Sequence, residues 1–150
     1  MKLAFSTLGC PNFSWVEIYS MAKDLGFKGI EIRGLGDEIS AVRAQPFSEE
    51  QLPHTLKKLS ELRLEIPCLT TGCCLKFAED AEKNHAEIVQ YIDLAARLGT
   101  PYVRILGDLE PHVTGEVDDE VVLAALRRLV PIAEEKGVTL LVETNGVYAD

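Results

Sequence analysis

The apolar run at residues 137–146 constrains the fold more than any other stretch. It reads Gly-Val-Thr-Leu-Leu-Val-Glu-Thr-Asn-Gly, β-branched and apolar residues that stop on a carboxylate, an amide and a glycine. Such a run is expected to be a buried parallel strand that delivers Glu143 to the rim of a sheet. Four earlier runs, at residues 2–6, 28–34, 64–70 and 102–107, have the same character. Successive strand starts lie about 27 to 37 residues apart, the size of one βα unit. Each interval is long enough to return the chain in parallel.

The intervals carry helical signals. Ser14-Trp15-Val16-Glu17 matches a capping box, and Ile18, Met21, Ala22 and Leu25 behind it share one helix face. Ser48-Glu49-Glu50-Gln51 reads as a second capping box ahead of Leu52, Leu56, Leu59 and Leu62, with Pro53 in the tolerant first turn. A third helix is expected from Asp80 through Ile88, Ile92, Ala95 and Leu98. A fourth, capped by Asp118, carries Val122, Ala125, Leu126, Leu129 and Ile132, and Pro131 should kink or open it. Thr71 to Cys74 and Glu110 to Gly115 are expected as loops.

Strands alternating with helices give an α/β fold with a parallel sheet. Two architectures fit, an open doubly wound sheet and an arc of a (β/α)8 barrel. Charge on the strands separates them. A sheet covered on both faces has apolar central strands, whereas Glu31, Arg33, Arg104 and Glu143 recur here in step, opposite Ile30, Ile32, Val103, Ile105 and Val142. Charged groups on one face near the strands' C-terminal ends suit the lumen and upper rim of a barrel.

The net charge of −9 argues against a broad nucleic-acid surface. No apolar run reaches the roughly 18 residues of a membrane span, and the N-terminus lacks a signal peptide's apolar region, so a cytoplasmic location is expected. The four cysteines, Cys10, Cys68, Cys73 and Cys74, form no Cys-x-x-Cys pair. They are expected to be free thiols, with a reactive role open to Cys73 or Cys74 at a strand-to-loop exit.

With these residues in view, the chain resembles the sugar phosphate isomerase/epimerase family of the xylose isomerase-like TIM barrels, which also includes endonuclease IV-type enzymes. The resemblance rests on residues 3–11, Leu-Ala-Phe-Ser-Thr-Leu-Gly-Cys-Pro, and on 22–33, Ala-Lys-Asp-Leu-Gly-Phe-Lys-Gly-Ile-Glu-Ile-Arg. It continues through 95–104, Ala-Ala-Arg-Leu-Gly-Thr-Pro-Tyr-Val-Arg, and 133–144, Ala-Glu-Glu-Lys-Gly-Val-Thr-Leu-Leu-Val-Glu-Thr. The resemblance implies a divalent metal, Mn²⁺, Mg²⁺, Co²⁺ or Zn²⁺, whose first ligand is the glutamate ending strand five. Glu143 matches that position. The later ligands would come from strands six to eight, so residues 1–150 are expected to be one incomplete barrel domain, about five strands and four helices. The full barrel would run to about 250 residues. On this reading metal binding by the chain alone is weak or absent, and the chain alone is inactive.

The implied reaction is proton transfer beside the carbonyl of a small-molecule sugar or sugar phosphate. Glu143 would be both metal ligand and catalytic residue, with Arg33, Glu31, Arg104, Asn145 and His112 as substrate-binding candidates. For Glu31 and Arg104 the competing expectation is a mutually satisfying buried ion pair; for Asn145 it is turn formation. His54 and His85 are expected on helix surfaces, and Glu110 in solvent. Trp15 and Phe13 are read as packing residues or as an apolar wall for a sugar. Two other functions stand beside this one. One is an endonuclease IV-like metal-dependent phosphoesterase. The other is a non-catalytic fragment or assembly unit, a homo-oligomer joined through exposed strand edges.

Overall fold

A computed structural model describes residues 1–109 and 115–149. Five strands alternate with four α-helices: β1 Ala4–Ser6, α1 Trp15–Asp24, β2 Gly29–Glu31, α2 Leu52–Leu62, β3 Cys68–Cys74, α3 Ala81–Leu98, β4 Tyr102–Leu106, α4 Asp119–Glu135 and β5 Thr139–Glu143. All pairings between them are parallel. β1 pairs with β2, and β3, β4 and β5 form a three-stranded sheet in that order. Single parallel bridges from Gly29 to Glu65 and from Ile32 to Leu69 join the two sheets. The strands therefore run side by side in chain order.

That order decides between the two architectures. A doubly wound sheet reverses direction at a switch point. Here every crossover steps the same way, and right-handed crossovers then place all helices on one face. Burial agrees. Ile30, Ile32, Leu69, Val103 and Ile105 are fully buried and pack with Ile18 of α1, Ile88, Tyr91 and Ile92 of α3, and Leu129 of α4. Each such side chain stabilises the fold by about 1.5–3 kcal/mol. The alternate residues Glu31 and Arg104 face the other way and are only half-buried. The result is an open arc that resembles a truncated TIM barrel, its polar concave face opposite the helices.

Helix α1 starts as expected. The Ser14 hydroxyl accepts from the Glu17 N–H and the Glu17 carboxylate accepts from the Ser14 N–H at 2.8 Å, a complete capping box. Only half of the second expected box forms: Ser48 Oγ accepts from the Gln51 N–H at 3.3 Å. Gln51, not Ser48, precedes α2 and caps nothing with its side chain. Its N–H is donated back to the Ser48 carbonyl at 3.1 Å, so residues 48–51 make a turn before the helix. Pro53, in the first turn of α2, needs no N–H partner there. Helix α4 continues through Pro131.

Strand β3 also departs from expectation. It covers Cys68 to Cys74, with an irregularity between Thr70 and Cys74, so Thr71 to Cys74 belong to the strand rather than to a loop. Cys74 is level with Leu106, and the Leu75 N–H donates to the Leu106 carbonyl at 2.8 Å. β2 is shorter than read, because Arg33 and Gly34 bond to the Thr7 side chain instead of a strand. None of the described helices is long and apolar enough to cross a membrane.

Candidate active site

Parallel register sets which side chains meet. Ser6 is level with Glu31, and Thr70 is level with Arg104 and, across β4, with Leu141. Register partners share a face, so the concave face carries a polar row. Ser6 Oγ donates to Glu31 Oε1 at 3.2 Å, and Thr70 Oγ1 donates to the same oxygen at 2.8 Å. Arg104 leans to the other side of the row. Its Nε donates to Glu143 Oε2 at 2.5 Å, its Nη2 contacts that same oxygen, and its Nη1 donates to the Thr71 carbonyl at 3.1 Å.

An ion pair between Glu31 and Arg104 is thus absent. Glu31 is two strands from Arg104, with the Thr70 hydroxyl between them to satisfy it. Glu143 lies on the adjacent strand, one pleat above Leu141. The Glu143 side chain is 42% exposed and that of Arg104 20%. The pair is therefore partly screened by solvent and stabilises the fold by about 1 kcal/mol or less. Both guanidinium nitrogens converge on Oε2. Oε1 has no partner among the described residues.

Two further charged residues at this rim were not singled out from the sequence. Asp108 stands two residues beyond β4 and is 1% exposed. Its Oδ1 accepts from Lys76 Nζ at 2.5 Å, and its Oδ2 accepts from the Val147 N–H at 3.3 Å. Gly146 completes the fit. A Cβ there would sit 2.1 Å from Asp108 Oδ2, and its φ of +56° is one that side chains rarely adopt. The sequence does carry a signal for Asp108, an acid two residues past the apolar run that ends at Leu106.

The other candidates divide. The Arg33 backbone N–H is held by Thr7 Oγ1 at 2.9 Å, and its Nη1 donates to the Ile39 carbonyl at 3.3 Å. Its guanidinium lies along Gly72, the residue after the carbonyl that Arg104 binds. Asn145 makes the turn into the 3-10 segment Gly146–Tyr148 with its backbone: its N–H donates to the Glu143 carbonyl at 3.0 Å, and its carbonyl accepts from the Tyr148 N–H at 3.0 Å. His112 and Glu110 lie outside the described residues. His54 is exposed, whereas His85 is half-buried between α3 and α4 with its Nδ1 unpartnered among the described residues. Trp15 packs edge-on against Tyr19 and Phe47.

The cysteines are free thiols. Burial pushes the Cys73 thiol up to about 11, and the nearby Glu87 carboxylate adds to the effect. Burial likewise raises Cys74. Both are buried, without the solvent access that a reactive thiolate needs.

A hard divalent ion asks for several oxygen donors. Glu143 is one donor of that kind. Among the described residues no group of three or more His, Cys, Asp or Glu side chains is placed to hold an ion. These residues do not by themselves form a coordination set.

Comparison with known proteins extends the geometry. The family described as xylose isomerase-like TIM barrel matches residues 19–148. The C-glycoside deglycosidase alpha subunit of Arthrobacter globiformis is 39% identical over 75 residues, 47% of this chain and 16% of that protein. Among solved structures, the 3-keto-D-glucoside 4-epimerase YcjR of E. coli superposes with a TM-score of 0.72 at 16% identity, over 95% of this chain and 55% of that one. A xylose isomerase-like TIM barrel protein of Mycobacterium smegmatis, in complex with magnesium, gives 0.69 at 20% identity, over 95% of this chain and 54% of that one. The chain spans about half the length of these two solved relatives, and at such identities they speak to the fold alone.

Proposed function

The chain belongs to the xylose isomerase-like TIM barrel family, and from that premise we propose that the protein is a metal-dependent isomerase or epimerase of a sugar or sugar phosphate. The observation that carries the proposal is the Arg104–Glu143 pair. It puts a carboxylate at the C-terminal end of β5, on the concave face, with one oxygen held and the other open. Such rims are where barrel enzymes place their chemistry.

Isomerisation or epimerisation beside a carbonyl requires a base that removes a proton from carbon and an acid that returns one. Glu143 Oε1 is the atom suited to both. Arg104 fixes the rotamer through Oε2, so the open oxygen is oriented before substrate arrives. Glu31, fixed by Ser6 and Thr70, offers its carboxylate as an acceptor for sugar hydroxyls along the same face. The name of the E. coli relative sets the epimerised carbon next to a ketone, the arrangement this chemistry needs. Metal dependence enters from the magnesium bound to the mycobacterial relative, and Glu143 is the described residue that would meet the ion.

The test is turnover by the intact gene product. With Mn²⁺ or Mg²⁺ in deuterated water it is expected to interconvert an aldose with a ketose, or two epimers, and to place solvent deuterium beside the carbonyl. Absence of both turnover and exchange across a panel of aldoses, ketoses, keto-glycosides and their phosphates, with each metal, would sink the reading.

A further inference from the structure

We propose that the small cavity between the segment after β2 and the first turns of α3 binds the phosphate monoester end of the substrate, held by Arg33 and Lys83. The inference rests on the sugar isomerase reading above and narrows it to phosphorylated substrates.

The cavity has a volume of about 170 Å³ and is lined by Arg33, Ser40, Arg43, Gly72, Lys83 and Glu87, among others. It lies between the C-terminal half of β3, which carries Gly72, and the first two turns of α3, which carry Lys83 and Glu87. Its charges are unevenly satisfied. Arg43 pairs with Glu38 at 3.2 Å. Glu87 Oε1 accepts from Ser40 Oγ at 3.0 Å, and the Tyr91 hydroxyl behind it accepts from the Ala41 N–H at 2.9 Å. Arg33 and Lys83 have no carboxylate within 4.0 Å among the described residues. Three cations against the carboxylates of Glu38 and Glu87 leave a local excess of positive charge, on a chain whose net charge is −9.

The geometry suits an oxyanion. Arg33 spends only Nη1, on the Ile39 carbonyl at 3.3 Å. Its remaining N–H donors form a planar fork that matches phosphate oxygens. Gly72 makes the position available, since a Cβ on it would lie 3.1 Å from Arg33 Nη2. Lys83 supplies a compact second charge from the facing helix. The site is also next to the chemistry. Arg104 binds the carbonyl of Thr71 while Arg33 lies along Gly72, so the cavity and the Arg104–Glu143 pair flank two consecutive residues of β3.

Thermal unfolding of the chain in inorganic phosphate, against chloride at equal ionic strength, tests this. Phosphate is expected to raise the midpoint in a saturable way, and Arg33→Gln or Lys83→Gln should weaken the half-saturating concentration by about tenfold each. Arg43→Gln should change it little, because Glu38 already engages that cation. Should Arg33→Gln fail to fold, Gly72→Ala displaces the same guanidinium tip and is expected to weaken phosphate likewise. No phosphate-specific rise, a rise unchanged by Lys83→Gln and Gly72→Ala, or an equal rise with acetate would each overturn the assignment. The two readings separate cleanly. Turnover of unphosphorylated sugars by a protein indifferent to phosphate removes the anion site and keeps the isomerase. Arg33-dependent phosphate binding without turnover of any sugar does the reverse.

Discussion

Arg104 on β4 donates from Nε to Oε2 of Glu143 on β5 at 2.5 Å, and both of its other terminal nitrogens are engaged, one on that same oxygen and one on the Thr71 carbonyl. The two strands pair in parallel with Arg104 level with Leu141, so the contact is a diagonal one, up one pleat. A guanidinium tied at three points is a rigid holder for a carboxylate.

Glu143→Gln in the intact gene product is expected to reduce kcat by at least about a hundredfold, the usual worth of a general acid–base group. Arg104→Lys keeps the charge but loses the fork, and should lower kcat less, by about tenfold, with KM nearly unchanged. Steady-state kinetics on the best substrate checks both. A Glu143→Gln protein with normal kcat would remove this residue from the mechanism. In stability the pair is modest, and a double-mutant cycle by urea unfolding should return a coupling of about 0.5–1 kcal/mol.

The Lys76–Asp108 contact is expected to matter more for folding. Asp108 is almost wholly buried. Lys76→Met leaves its carboxylate without that cation and should cost about 3 kcal/mol. Gly146→Ala should be destabilising by about 1–3 kcal/mol, since both the φ and the proximity of Asp108 oppose a side chain. Urea midpoints give the comparison. Wild-type stability in Lys76→Met would show that the pair is not what holds this end of the sheet together.

Tyr91 makes a third prediction. Its ring is fully buried in α3, and its hydroxyl accepts from the Ala41 N–H at 2.9 Å and lies 3.4 Å from Ser40 Oγ. Tyr91→Phe keeps the packing but orphans a buried N–H, at a cost of about 1–3 kcal/mol. Amide exchange at Ala41 should speed up by more than at residues of β4. Unchanged exchange there would mean that another acceptor takes over.

Alkaline stability follows from the buried thiol. Cys73 has its folded value raised to about 11 from an ordinary 9.0, chiefly by burial. The unfolded chain therefore gives up this proton first as pH rises. The stabilisation is fully present below about pH 9 and is lost progressively between about 9 and 11. Tyr148, raised to about 12 by burial and by its Asp119 neighbour, extends the decline upward. Urea midpoints at pH 8, 9.5 and 10.5 should fall in order, and Cys73→Ala should flatten the first part of the slope. In the folded protein at pH 8, Cys73 should react with an alkylating agent far more slowly than the half-buried Cys68.

Much of the fold lies in local pattern. The period of apolar residues, the Ser14–Glu17 cap, the Asp118 cap and the spacing of βα units are short-range signals, and each operates within one element and its neighbour. The same is true of the alternation that set Glu31 and Arg104 opposite Ile30 and Ile105. The sequence by itself therefore determined the parallel α/β class, the polar face and the strand-end position of Glu143.

Partnership was another matter. Whether Arg104 met Glu31 or Glu143 depended on strand order and register, which join residues on separate strands. Asp108 became conspicuous only once Lys76 and Gly146, far apart in the chain, closed on it. Arg33 came to line a cavity with Gly72 against its guanidinium, its backbone N–H held by Thr7 from another strand's end. Ser48 takes the Gln51 N–H on its side chain, but residues 48–51 close a turn ahead of α2 and the box stays half made. A one-dimensional pattern states which face a residue occupies; only the packed arc states what lies across from it, because burial makes each charge find the nearest available partner in space rather than in sequence.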